Sequence, residues 1–172
     1  MEFAGLDLQR LSRFAMLLHR HLPQQVVIGL QGTLGAGQTR LVQEIAVAAG
    51  SDRGDVTSPT FTIVQHYHGS RRIHHVDAYR LADEDEFIEL GGEELFEDAA
   101  MVLIEWPQRI SGSLPGNALW LEIEIDEDSD QGSDEDSAAE RSPDQATRTI
   151  RASSADAGLM TILNQVAQEM DR

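Results

Sequence analysis

The sequence predicts an α/β fold, a three-layer sandwich in which helices flank a mixed central sheet. Three observations carry that prediction. An apolar run at 25–31 (QVVIGLQ) feeds a glycine-rich loop, and a segment with helical spacing follows it. A second apolar run at 99–106 (AAMVLIEW) is closed by Pro107, as suits a strand buried on both faces. Residues 119–125 (LWLEIEI) and 147–152 (TRTIRA) alternate with period two, the pattern of half-exposed strands that pair with one another. A chain of 172 residues with 41% apolar content can bury one ordinary core, so residues 1–172 read as one domain.

The other elements follow in chain order. Residues 7–22 place Leu8, Leu11, Phe14, Ala15, Leu18 and Leu22 on one helical face, with Asp7 as N-cap and Pro23 as the stop. After the loop, 39–49 carries Leu41, Val42, Ile45, Ala46 and Ala49 at helical spacing and ends at Gly50. Residues 61–67 (FTIVQHY) and 72–79 (RIHHVDAY) read as strands, and Gly69-Ser70 between them signals the turn of a hairpin. Residues 83–90 read as a helix with Asp83, Glu84, Asp85 and Glu86 at its start, where carboxylates meet the positive end of the helix dipole. Gly91-Gly92 stops it, and 157–170 forms a last amphipathic helix.

Between the last two strands lies 126–146 (DEDSDQGSDEDSAAERSPDQA). It is acidic, serine-rich and nearly free of large apolar groups. Such a segment buries too little surface to offset its ordering entropy, so it reads as a disordered insertion in a hairpin connection. It lacks the D-x-[DN]-x-[DN]-G spacing and distal glutamate of a calcium loop.

Composition closes several routes. The chain has no cysteine, which excludes disulfides, thiolate metal sites and cysteine nucleophiles. Thirteen basic residues against 30 acidic ones give a formal charge of −17, which repels phosphate backbones and argues against direct, tight nucleic-acid binding. A local basic patch, for example around Arg71 and Arg72, is compatible with that balance. No apolar run approaches the roughly 20 residues that span a bilayer. The N-terminus carries charges throughout and has none of the layout of a signal peptide, so a cytoplasmic protein is expected.

Four short stretches carry chemistry. The first is the loop, LQGTLGAGQTR, with the spacing G-x-x-x-x-G-x-T of a P-loop. Phosphates are bound by backbone N–H groups in a concave turn at a helix N-terminus, and glycines let the backbone curve inward. The fold expected is therefore P-loop NTPase-like. Thr39 is placed to ligate magnesium, but Gln38 occupies the position of the cationic lysine. Gln38 donates only a neutral hydrogen bond, a loss of a few kcal/mol where a charged bond contributes about 1.5–3 kcal/mol. The second stretch is His75-Val76-Asp77-Ala78-Tyr79-Arg80. In a strand His75, Asp77 and Tyr79 share a face, and Asp77 can hold a metal-bound water or orient an attacking one. The third is Glu105-Trp106-Pro107, an acidic residue ending an apolar strand in the manner of a Walker B element. The fourth is Ser58-Pro59-Thr60-Phe61, with hydroxyls flanking a rigid proline as in switch loops that report a γ-phosphate.

Taken together, GTLGAGQT, SPTF, HVDAYRL and IEWP resemble, in order and separation, the motifs of the TsaE (YjeE) family of small bacterial P-loop ATPases. The resemblance covers roughly residues 5 to 125. It implies an ATP-binding, weakly hydrolysing subunit that acts with TsaB and TsaD in making threonylcarbamoyladenosine at position 37 of tRNA. The partners would carry the tRNA contacts. By motif position, Thr33, Leu34, Gly35, Ala36, Gly37, Gln38, Thr39, Arg40 and Trp106 would bind the nucleotide. Thr39, Asp77 and Glu105 would serve Mg2+ and the chemistry, with Asp77 and Glu105 as the catalytic pair. Ser58 and Thr60 would be switch-like. Two departures stand out: Gln38 replaces the lysine, and Arg40 replaces a small hydroxyl residue and is a candidate for part of the missing charge. Two alternatives stay open. One is a catalytically impaired nucleotide-binding or assembly factor of the same complex. The other is a small-molecule kinase, for which no segment plainly supplies an acceptor region.

Overall fold

The structure, a computed structural model, describes residues 1–59, 62–126 and 146–172. Thr60, Phe61 and the interior of the acidic insertion, 127–145, lie outside the described residues. The strands are β1 (Glu2–Leu6), β2 (Val26–Gly32), β3 (Val64–His68), β4 (Arg72–Asp77), β5 (Met101–Glu105), β6 (Leu119–Ile125) and β7 (Arg148–Ser153). They form one sheet in the order β1-β7-β6-β2-β5-β4-β3. The centre is parallel: β2 lies between β5 and β6, and β4 runs beside β5. The outer pairs β1–β7, β6–β7 and β3–β4 are antiparallel.

Helices α1 (Leu8–His21), α2 (Gln38–Ala48) and α4 (Ala157–Met170) cover one face of the sheet. Their buried residues Phe14, Leu18, Ile45 and Leu163 meet Ile28, Leu30, Leu103 and Leu121. On the other face, Phe87 of the short helix α3 (Glu84–Glu89) and Ile110 pack over Val27, Val76, Val102 and Ile104. Alternate residues of β5 thus enter opposite core layers, which is why that strand reads as an unbroken apolar run. The sandwich is a P-loop fold, with helices on both faces of a mixed sheet.

Asp7 caps α1 as its sequence suggests, accepting from the Arg10 N–H at 2.8 Å. Three expectations need correction. β1 was not foreseen. Phe3 and Leu6 are both buried although they lie three apart, because a bulge near Gly5 shifts the register with β7 and breaks the period-two signal. β3 starts at Val64, not at 61, because the Thr62 and Ile63 amides both donate to the Pro59 carbonyl in a tight turn, with Ile63 at φ 62°. β4 stops at Asp77, whose carboxylate accepts the Tyr79 N–H at 3.0 Å and turns the chain into a 3-10 turn, Ala78–Arg80. Tyr79 therefore does not continue the face that carries His75 and Asp77.

The arginine patch does not form either. Arg71 is buried and donates to the carbonyls of Leu22 and Pro23 at 2.9 and 2.6 Å, satisfying the end of α1. Arg72 pairs with Asp98 at 3.2 Å.

One buried carboxylate ties α1, α2 and the turn after α2 together. Glu44 is 4% exposed. It accepts from both Nη atoms of Arg53 at 2.8 and 2.9 Å, from the Arg40 Nε at 3.1 Å and from the Ser12 hydroxyl at 2.8 Å. Burial by itself would raise its pKa; the hydrogen bonds from Arg53 and Ser12 and the charges of Arg53 and Arg40 outweigh burial and hold the carboxyl below its ordinary value. A depressed folded-state pKa contributes stability that is present above the unfolded-state value of about 4.3 and is lost as pH falls through the folded value. Glu44→Gln should therefore lower unfolding free energy by about 1–3 kcal/mol at neutral pH. In urea melts the difference from the parent should shrink as the buffer is taken below about pH 4; a gap that stays constant with pH would contradict this account.

Candidate functional site

Three of the four parallel strands, β2, β5 and β4, are in register at one edge of the sheet. Leu30 of β2 lies opposite Glu105 of β5, and Glu105 lies opposite Asp77 of β4. The glycine loop leaves β2 at this edge and delivers the chain into α2. Between the loop and the strand ends is a cleft of about 330 Å³. Leu34, Gly35, Gly37, Gln38 and Thr39 form one wall, and Ser58, Asp77, Tyr79, Glu105 and Trp106 the other. Ligands of open α/β sheets bind outside the carboxyl ends of the strands, where this cleft lies.

The first contact across the cleft joins the head of α2 to β5. The Thr39 hydroxyl lies 2.8 and 3.0 Å from the two carboxylate oxygens of Glu105 and donates to them. Glu105 is only 4% exposed, so it needs further partners. The Nε2 of fully buried His75 supplies one at 2.7 Å. The other ring nitrogen of His75 meets the Tyr67 phenol at 3.0 Å. That phenol also sits 2.7 Å from the Gln65 side-chain oxygen and 3.1 Å from the Thr57 carbonyl. Burial, reinforced by the negative charge of Glu105, pushes the Tyr67 hydroxyl up to about 12, so it stays a neutral donor at physiological pH. A chain of polar contacts thus runs from Thr39 through Glu105, His75 and Tyr67 to the backbone just before Ser58.

Asp77 stands beside Glu105. One of its oxygens accepts the Tyr79 N–H, and the other accepts from the Ser58 hydroxyl at 3.3 Å. Gln38 is buried, and its amide donates to the Leu30 carbonyl at 2.9 Å, so it points back to the end of β2. The same carbonyl accepts the Trp106 N–H at 3.3 Å. Trp106 adopts a left-handed conformation, φ 59° and ψ 44°, at a cost on the order of 1–2 kcal/mol. That turn swings its ring to 5.0 Å from the Tyr79 ring, and the pair forms the outer rim of the cleft. Gly29 leaves room for the proline that follows Trp106: a Cβ there would lie 3.1 Å from Pro107 and 3.3 Å from Trp120.

Most of the residues singled out in the sequence converge here, and three do not form the wall. Thr33 is exposed, and its carbonyl accepts the Ala36 N–H at 3.0 Å. Ala36 is fully buried beneath the loop. Arg40 turns along α2 to Glu44. Ser58 joins the cleft, and Thr60 lies outside the described residues. The sequence reading overlooked Tyr67 and treated His75 only as a neighbour of Asp77. Their signal is the hairpin register, which pairs Gln65 with His75 and brings Tyr67 diagonally onto the same face.

Residues 6–135 match the family described as "Threonylcarbamoyl adenosine biosynthesis protein TsaE". The chain belongs to the TsaE family. It is 33% identical over 117 residues to the tRNA threonylcarbamoyladenosine biosynthesis protein TsaE of Treponema pallidum, covering 68% of this chain and 86% of that one. With the TsaE protein of Haemophilus influenzae it shares 35% identity over 119 residues, covering 68% and 75% of the two chains. The crystal structure of Bacillus subtilis YdiB has the same fold, with a TM-score of 0.67 over 98% of this chain and 95% of that one at 21% identity. The stretch matched to the TsaE family contains the loop, Asp77 and Glu105 and stops short of β7. No helix among the described residues is long and apolar enough to cross a membrane.

The polar chain behind Glu105 makes a stability prediction. His75→Phe leaves Glu105 and Tyr67 without a shared partner and should cost about 1–3 kcal/mol in urea unfolding. Tyr67→Phe, which keeps the ring and loses only the hydroxyl, should cost about 1 kcal/mol. If neither substitution lowers stability, the ring packing and not the polar chain holds this region.

Proposed function

We propose that the cleft binds magnesium-ATP and that the protein hydrolyses it slowly as a cytoplasmic component of tRNA threonylcarbamoyladenosine synthesis. The observation that carries this reading is the Thr39 hydroxyl resting on the Glu105 carboxylate directly behind a glycine loop. A hydroxyl and a carboxylate brought together there, with Asp77 beside them, are hard oxygen donors of the kind magnesium takes. Thr39, Glu105 and Asp77 would hold the ion. When bound there, the ion would supply positive charge against the negative charge that develops on the phosphates.

The protein's own groups account for the remaining steps. Backbone N–H groups of Gly35 to Thr39 receive the phosphates at the start of α2. Asp77 orients the attacking water and accepts its proton at a carboxylate oxygen. The polar chain through His75 and Tyr67 fixes the Glu105 carboxylate, so little reorganisation is needed there as the reaction proceeds. Trp106 and Tyr79 shield the outer side of the nucleotide. Gln38 adds a neutral hydrogen bond and no charge, which makes turnover slow. Family membership supports TsaB and TsaD as partners. The formal charge of −17 supports tRNA contact only through those partners.

A second reading, binding without turnover, is favoured by one observation: the Gln38 amide is engaged with the Leu30 carbonyl rather than directed across the cleft. Calorimetric titration with magnesium-ATP and magnesium-ADP, followed by ADP-release assays alone and with TsaB and TsaD, separates the two. Binding with stimulated release supports the ATPase, binding without any release supports the second reading, and no binding overturns both. Gln38→Lys should tighten magnesium-ATP binding about 10- to 100-fold, the equivalent of one charge-assisted hydrogen bond at about 1.5–3 kcal/mol. Glu105→Gln should remove most of the dependence of ATP affinity on magnesium; a variant that keeps the full magnesium response would exclude Glu105 as a metal-binding group.

A further inference from the structure

A guanidinium from the far end of the chain lies against the glycine loop. Arg148 opens β7, beyond the stretch matched to the TsaE family, and is 3% exposed. Its Nε donates to the Ala36 carbonyl at 2.9 Å, and its Nη1 donates to the Ala146 carbonyl at 2.9 Å. A Cβ placed on Gly37 would stand 2.6 Å from that Nε and 3.4 Å from Cζ, so the planar group rests directly on the Gly37 backbone. Gly37 itself has φ 109°, a conformation that side-chain-bearing residues rarely adopt.

The covalent geometry gives this contact a consequence. The peptide between Ala36 and Gly37 is trans, and in a planar trans peptide the C=O and N–H point in opposite directions. Holding the Ala36 carbonyl toward β7 therefore turns the Gly37 N–H away from β7. Gly37 is one of the residues that line the cleft. A charged donor on the carbonyl also polarises the same peptide, and linked hydrogen bonds of this kind strengthen one another. Lysine would not do the same work, since its point charge lacks the fork that reaches the Ala36 and Ala146 carbonyls together. Burying a guanidinium is costly unless it is well bonded, and here one of its bonds goes to the loop in which Gln38 stands at the lysine position.

We propose that Arg148 is a positioning residue of the phosphate loop: it sets the Ala36–Gly37 peptide with its N–H toward the bound phosphates and lends the loop a cationic group. The proposal rests on the reading that phosphates of a nucleotide bind there. Its ligand class is a phosphate chain, and its specific claim is that the last strand of the sheet, not only the loop and α2, sets the affinity.

The test uses isotopically labelled full-length protein with R148Q, R148K and the double variant R148Q/Q38K. Magnesium-ATP affinity is measured by calorimetry, the Gly37 amide resonance by NMR without nucleotide, and folding by thermal melting. R148Q should bind magnesium-ATP at least tenfold more weakly and should move the Gly37 resonance. R148K should lose several-fold, because it keeps the charge without the fork. Adding Q38K to R148Q should restore part of the affinity. R148Q with parental affinity and an unmoved Gly37 resonance overturns the proposal. If R148Q does not fold, R148K decides: a moved resonance with a several-fold loss supports the proposal, and parental values overturn it. Failure of the parent protein to bind magnesium-ATP would instead strike the nucleotide reading, while the Gly37 resonance would still report whether Arg148 sets the loop.

Discussion

The register of the parallel strands β2, β5 and β4 is the constraint on which the site depends. Leu30, Glu105 and Asp77 sit level across β2, β5 and β4 because the ladder hydrogen bonds leave no freedom to slide. A slip of one residue would turn every side chain of a strand to the opposite face. It would exchange Leu103 for Val102 in the layer under α1 and α2 and would carry Glu105 away from Thr39. The apolar core thus enforces the polar geometry: burial of Leu103 on one face and Ile104 on the other is what holds a carboxylate at the rim. The strength of that arrangement comes from hydrophobic area, and its precision comes from the pleat.

At the rim, cost and compensation are arranged in sequence. Glu105 and His75 are taken almost wholly out of water, which is unfavourable for groups without partners. Each is answered by the next group inward, ending at Tyr67 and the backbone of Thr57. This layout braces the edge of the cleft from behind while its front, with Leu34 82% and Tyr79 47% exposed, stays open to solvent. It also places the start of the Ser58-Pro59 segment on the same set of contacts as the Glu105 carboxylate. A shift of that segment cannot occur without disturbing the Tyr67 phenol.

Much of this was legible in the sequence, for identifiable reasons. β2, β5 and β6 announce themselves because strands with consistent burial on one or both faces leave a regular apolar pattern. α1 and α4 do so through helical spacing, and α1 also through its Asp7 cap. The convergence of Thr39, Asp77 and Glu105 was legible because motif order on an α/β chain maps onto strand ends. What escaped was set by irregular or long-range features. β1 hides behind a bulge, the ends of β3 and β4 are decided by backbone turns at Ile63 and Asp77, and the link from Tyr67 to Glu105 exists only once the hairpin register is known. Arg40 illustrates the limit of proximity arguments. It is one residue from Thr39, yet the helix carries it round to Glu44.

Arg148 and Ala36 are 112 residues apart in the chain, and β1 is held at the sheet edge by β7, with the N-terminal ammonium on the Ala152 carbonyl at 2.8 Å. During synthesis the chain emerges from its N-terminal end, and the loop appears early. Its last support is translated after the acidic stretch has been made. The glycine loop and the edge strand β1 therefore both precede, in order of synthesis, the strand that contacts them. Both contacts are made by β7, so the strand that holds β1 at the sheet edge is also the one that touches the glycine loop.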